Sequence, residues 1–201
     1  GGYMNAYTTR EQTCLFIGLT EKYLDMGVDI LSDMIINSIF DINELEKEKQ
    51  VIIEEIKMNY DNPEDYIYDI LFSEILKGQP LGKPIYGSQE NIMKASREKV
   101  LSFYNNNYSS TNMVVSVSGR VDQKRFLKLL NNIKFNNTNI INKTKEIVPE
   151  FSFSKYIENR ELEQIYFCLG FQGTNSINET RLVYYVLNNI ENRKLNIIIK
   201  Y

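Results

Sequence analysis

An α+β fold, an antiparallel-rich sheet with helices packed on one face, is predicted by three features of the sequence. A β-rich hairpin opens the chain, a run of capped amphipathic segments follows it, and strand-like segments return after residues 112 and 165. With 201 residues, 43% hydrophobic and 24% charged, the chain is long enough for one large or two smaller domains.

Tyr3–Thr8 and Thr13–Leu19 are rich in β-branched and aromatic residues, and Thr9-Arg10-Glu11-Gln12 makes the turn between them. Thr20 should then cap a helix whose apolar positions Leu24, Val28, Leu31 and Ile35 recur at spacings of four and three, as far as Asn37. That apolar stripe is expected to lie on the sheet. Asp41, followed three residues later by Glu44, reads as a capping box opening a second helix through Met58. Asn62-Pro63, a cap followed by a first-turn proline, opens a third that stops at Lys77-Gly78. Two prolines and two glycines between Gln79 and Gly87 predict an ordered loop. Ser96 caps a helix to about Asn106, Asn112–Gly119 alternates like a strand, and Asp122 caps a helix to Ile133. The polar stretch 136–145, followed by Pro149, reads as a linker, and Ile165–Phe171 beyond it is strand-like. A first domain is therefore expected over residues 1–145. A second begins at 146 with too little chain to complete a core of its own.

Composition excludes several classes of function. No apolar run approaches the roughly 18 residues a membrane helix needs, and Gly1-Gly2-Tyr3-Met4 has no signal-type character, so no membrane partner is expected. A formal charge of −3 and a pI near 5.2, with Lys and Arg scattered among acids, leave no basic field for nucleic acid. Cys14 and Cys168 lie far apart in apolar segments, which suits reduced thiols and a cytoplasmic location. The absence of histidine excludes a histidine-based triad and any imidazole metal ligand supplied by these residues.

On the second helix, at about 100° per residue, Leu45, Val51, Ile52 and Ile56 fall on one arc. Glu46, Lys47, Gln50, Glu54 and Lys57 fill the opposite one. Glu48 and Glu55, seven residues apart, nearly superimpose beside the apolar arc, and the wheel turns both carboxylates inward. Buried carboxylates must be protonated, paired with a cation or bound to a metal. Salt bridges to Arg or Lys, snorkelling to the edge of the arc, and one carboxylate on a metal with the other behind it all satisfy the pattern. So does an error in helix register.

A wider set of residues resembles the pitrilysin/insulinase-type (M16) zinc peptidases, of the processing-peptidase branch. The opening Gly1-Gly2-Tyr3-Met4-Asn5-Ala6-Tyr7-Thr8-Thr9-Arg10-Glu11 is one such block. Asp29–Met34, Glu46–Lys57, Pro80-Leu81-Gly82-Lys83-Pro84-Ile85-Tyr86-Gly87, Phe103-Tyr104, Asn112–Val115 and Ser118-Gly119 follow in the family's order. The likeness covers roughly residues 1–122, with a weaker match over 165–190.

The resemblance implies a zinc metalloendopeptidase. In the family an H-x-x-E-H helix supplies two histidine ligands and the general base, and a downstream glutamate completes the site. Glu55 matches that downstream ligand, and Glu48 matches the acidic residue seven places before it. Bound zinc lowers the pKa of a water molecule and polarises the scissile carbonyl. Substrates are extended peptides that add a strand to a sheet edge, where the matching residues are Asn5 and Ala6. Proline 80 to glycine 87 matches an ordered loop with no assigned chemistry. The second domain should be homologous to the first, with a sequence-family boundary near residues 87–96 as an alternative. A second M16-like half or subunit, or a second copy of the chain, is expected to close the chamber. The sequence departs from the pattern at both ends. No H-x-x-E-H is present, and Glu191–Tyr201 replaces a glycine-rich continuation. The tail is consistent with truncation, divergence or a shifted reading frame, and the missing motif implies a fragment of a longer peptidase, inactive alone; a non-catalytic subunit that binds peptides or a partner is the alternative.

Overall fold

The computed structural model describes residues 1–135, 148–175 and 177–195. The fold is α+β, with an antiparallel two-stranded sheet and seven α-helices among the described residues. It divides into two compact units, Gly1–Val51 with Glu90–Glu146 and Ile52–Gln89 with Ile147–Tyr201.

In the first unit, β1 (Gly2–Thr8) and β2 (Thr13–Leu19) pair from Gly2↔Leu19 to Thr8↔Thr13. The Thr9 amide donates to the Gln12 carbonyl at 2.8 Å and closes the four-residue turn. Chain direction then reverses through a 3₁₀ turn, Glu21–Tyr23, into α1 (Leu24–Ile36). Thr20 makes no side-chain cap, contrary to expectation, because the intervening turn separates it from α1. Leu24 and Gly27 are buried, and a Cβ on Gly27 would lie 2.4 Å from Leu19 Cδ2, so α1 sits close on β2. This is the predicted packing of helix on sheet.

The corner after α1 is fixed from elsewhere in the unit. Phe40 adopts a left-handed conformation (φ 47°), uncommon for an aromatic residue. Its carbonyl accepts from Arg97 Nε at 2.7 Å, and that of Ile39 from Arg97 Nη2 at 2.8 Å. Tyr104 packs edge-on against the Phe40 ring and donates to the carbonyls of Ile35 and Ile36 at 2.6 and 2.9 Å. Burial pushes the Tyr104 phenol above its usual value, with neighbouring Tyr108 adding to the shift, so it remains a donor. Arg97 and Tyr104 belong to α5 (Arg97–Asn107), capped as predicted by Ser96, whose hydroxyl accepts from the Lys99 amide. A five-residue helix, α4 (Gln89–Met93), precedes it without a sequence signal. In α6 (Gln123–Asn131), Asp122 caps the Arg125 amide at 3.0 Å, Phe126 is buried, and Arg125 pairs with Asp25 of α1 at 2.8 Å.

The second unit takes in the C-terminal half of α2 (Ile42–Asp61) and all of α3 (Pro63–Ile75). Asn62 accepts from the Glu64 amide at 3.1 Å with Pro63 behind it, the predicted cap. Beyond α3 the loop is ordered as expected. Gly78 and Gly87 take positive φ, and Pro80–Gly82 forms a 3₁₀ turn. An extended segment runs back along α3. Gln79 exchanges two hydrogen bonds with the Glu150 backbone, the Ser152 amide reaches the Ile75 carbonyl, and Ser154 donates to Glu74. Arg160 then stacks on the Tyr60 and Tyr66 rings, 4.3 and 5.3 Å from their centroids. Helix α7 (Arg181–Leu195) was without a sequence expectation.

Two predicted strands are not strands. Asn112–Gly119 and Ile165–Phe171 belong to no sheet ladder. Their side chains favour extended backbone, but a strand needs a bonded neighbour and none pairs with either segment among the described residues. Val114 is 94% exposed and Ile165 96%. The predicted linker, 136–145, lies outside the described residues. Uncovered apolar side chains, and an outer edge of β1 that has no partner strand among the described residues, favour association. Light scattering should show an apparent mass rising with concentration; a concentration-independent monomer would contradict this.

Candidate functional site

Antiparallel pairing alternates bonded and non-bonded residue pairs. With Thr9 and Gln12 bonded at the turn, the bonded pairs continue as Tyr7/Cys14, Asn5/Phe16 and Tyr3/Gly18. The amides of Met4, Ala6 and Thr8 therefore point away from β2, along the outer edge of β1. Ala6 contributes only a methyl group there, and the residue is exposed. Its amide donates to the Asn5 side-chain oxygen at 2.8 Å. On the face occupied by Asn5, Tyr3 and Tyr7 flank Phe16, each ring centroid 6.2 Å from it. A hydrogen bond with the Cys14 thiol pushes the Tyr7 phenol above its usual range, so Tyr7 is neutral at physiological pH.

Glu48 and Glu55 are both exposed, which corrects the inward orientation read from the helical wheel. The more protected positions of α2 are Leu45, Lys49, Ile52, Ile53, Ile56 and Asn59, spaced as one helical face. Lys49, which the wheel placed on neither arc, is 6% exposed; its stem is covered and its ammonium reaches Glu46 at 2.6 Å. Val51, counted on the apolar arc, is 50% exposed. The true face is thus rotated toward Lys49, leaving Glu48 and Glu55 on its flank. Neither forms an ion pair among the described residues, so the salt-bridge reading gains no support. Glu54 meets solvent, as its place on the polar arc predicted, and pairs with Lys57 at 2.7 Å.

A zinc site requires about three protein ligands. Among the described residues no three of His, Cys, Asp and Glu come together where they could hold an ion, and the sequence contains no histidine. The residues present do not compose a zinc centre by themselves. Seven residues of α2 separate Glu48 from Glu55 by roughly 10 Å along the axis, too far to share one ion as direct ligands.

Sequence reasoning missed a cleft of about 230 Å³ in the second unit, lined by Ile56, Asn59, Tyr60, Tyr66, Asp69 and Tyr86 among others. Asn59 donates to Asp69 at 3.2 Å, while its own side-chain oxygen is buried without a partner among the described residues. Burial, then the nearby Glu158 charge, raises the Tyr66 phenol. No spacing in the sequence announces this cleft, because its walls come from two helices and a loop. Among the described residues no helix is long and apolar enough to cross a membrane.

The chain is similar to several known proteins. An uncharacterized zinc protease of Rickettsia felis is 37% identical over 182 residues, 90% of this chain and 44% of that protein. One from Bacillus subtilis is 34% identical over 191 residues, 94% of this chain and 46% of the relative. The chain thus spans less than half the length of these relatives. A protease from Helicobacter pylori has a similar fold, with a TM-score of 0.65 at 23% identity over 74% of this chain and 36% of that one. The model of the insulinase family, peptidase family M16, matches residues 1–89, and that of the M16 inactive domain matches residues 94–190. With both M16 models matched in series along one sequence, the chain belongs to peptidase family M16.

Proposed function

We propose that these residues form part of a zinc-dependent metalloendopeptidase that hydrolyses extended peptides, and that the 201-residue chain is inactive alone. The observation that carries this reading is the outer edge of β1, where outward amides flank a residue small enough for another backbone to approach. Asn5 and Ala6 bind the substrate strand. Glu55, exposed on α2, is the carboxylate ligand to zinc, and Glu48 is the acidic residue supporting it. The remaining ligands come from groups that are not among these 201 residues. Residues 1–145 make up a first peptidase-like domain and 146–201 the opening of a second, homologous one. A second M16-like half or subunit, which a second copy could provide, completes the chamber, and the two free cysteines suit a cytoplasmic setting.

The chain, stripped with a chelator and dialysed against zinc, should retain well under one ion per molecule and should not hydrolyse an unstructured peptide. Metal analysis and a fluorogenic peptide assay check this; turnover by the pure chain would overturn it. A second reading is a non-catalytic subunit that binds peptides or a partner through the same edge of β1, with Asn5 and Ala6 serving strand addition. Coding DNA ahead of Gly1 separates the two. An in-frame H-x-x-E-H supports the peptidase, and a start codon near Met4 supports the subunit.

A further inference from the structure

Asparagine is depleted in strands, and Asn5 stands in the middle of β1 with an exposed side chain. Its carboxamide oxygen takes a hydrogen bond from the next residue's amide, at 2.8 Å. That amide belongs to Ala6, whose pairing position turns it away from β2. A strand adding to β1 must bring a backbone carbonyl to the same amide. We infer that Asn5 is a positioning residue whose carboxamide occupies the edge of β1 in place of the incoming carbonyl, so that peptide addition competes with an internal hydrogen bond. This rests on the reading of β1 as the peptide-binding edge.

The chemistry follows from exchange. One N–H···O bond is broken for each one formed at Ala6, so this amide contributes little to affinity while Asn5 holds it. Met4 and Thr8 present outward amides on the same edge, and each is preceded by a tyrosine, whose side chain cannot make such a bond. Ala6 is therefore the regulated position, and its neighbours serve as internal controls.

The test uses the 201-residue chain at low concentration, with a fluorescein-labelled peptide of alternating threonine and lysine as the probe. Asn5→Ala and Asn5→Val, the second a good strand former, should each bind it about two- to tenfold more tightly, the worth of one net hydrogen bond. Asn5→Asp, a charged and stronger acceptor, should bind it more weakly at neutral pH. In the free chain the Ala6 amide should exchange with deuterium more slowly than those of Met4 and Thr8, and Asn5→Ala should remove the difference. Ala6→Pro puts a ring where the outward amide stood, which blocks the approach of another backbone along the edge without removing a bond to β2, and should abolish most binding. If Ala6→Pro binds normally, β1 is not the edge, and the functional reading falls with the inference. If Ala6→Pro loses binding while Asn5→Ala and Asn5→Val gain none, or Ala6 exchanges as fast as its neighbours, only the role given to Asn5 is overturned.

Discussion

Leu76→Ala should destabilise the chain by about 2–5 kcal/mol, the range for emptying a packed leucine site. Leu76 is 2% exposed, in a structure with few buried apolar side chains among its described residues, so little else can take over its burial. It also organises the exit from α3. Its amide bonds to Phe72, and its carbonyl accepts from the Gln79 amide, both at 3.0 Å. A Cβ on Gly82 would lie 2.3 Å from that same carbonyl oxygen. The loop therefore folds back directly onto the backbone of residue 76, and a cavity there cannot close without moving the turn at Pro80–Gly82. A lowered urea midpoint, with Leu127→Ala as a half-exposed control costing much less, checks the prediction.

Arg97→Ala should cost about 2–3 kcal/mol, from two hydrogen bonds given by a charged donor to main-chain carbonyls. One is partly buried and the other exposed, so solvent competes for both and the sum stays below that of two fully buried bonds. The guanidinium spans the carbonyls of Ile39 and Phe40, and Phe40 is the residue in left-handed conformation. Without it, Tyr104 remains to hold the corner from α5. Arg97→Lys should recover only part of the loss, since one ammonium cannot match the fork of a guanidinium. Lys47→Ala, which breaks an exposed pair with Glu44, should change stability by less than about 1 kcal/mol. Denaturation midpoints of the three variants test the order.

The helices were legible where their signals are local. Asn62, Ser96 and Asp122 each cap an amide two or three residues ahead, and Asp41 accepts from Asn43 and Glu44. A residue type and a short spacing suffice to specify such bonds. Strands 112–119 and 165–171 were misread because alternation records a preference for extended backbone and not the partner that makes a ladder. The α2 face was misplaced for a different reason. Lys49 has a long apolar stem, and a wheel that sorts residues as polar or apolar cannot place it inside. Val51, sorted as apolar but half exposed, had stretched the arc across Glu48 and Glu55; with Val51 outside and Lys49 inside, the two glutamates lie on the flank. Asn5 and Ala6 fell on a strand as expected, but the bond between them depends on which amides face outward, a matter of register fixed by the turn.

The hydroxyl of Tyr104 ties down the last carbonyls of α1 from almost seventy positions later in the chain. The end of that helix is thus a non-local structure, closed across a long loop, and the entropy of closure must be overcome before the bond gains anything. Folding of the first unit should accordingly be slow for a helix-rich chain, and mutations at this corner should retard folding more than they accelerate unfolding. A nascent chain released before residue 104 is synthesised would carry α1 with its terminus unsealed.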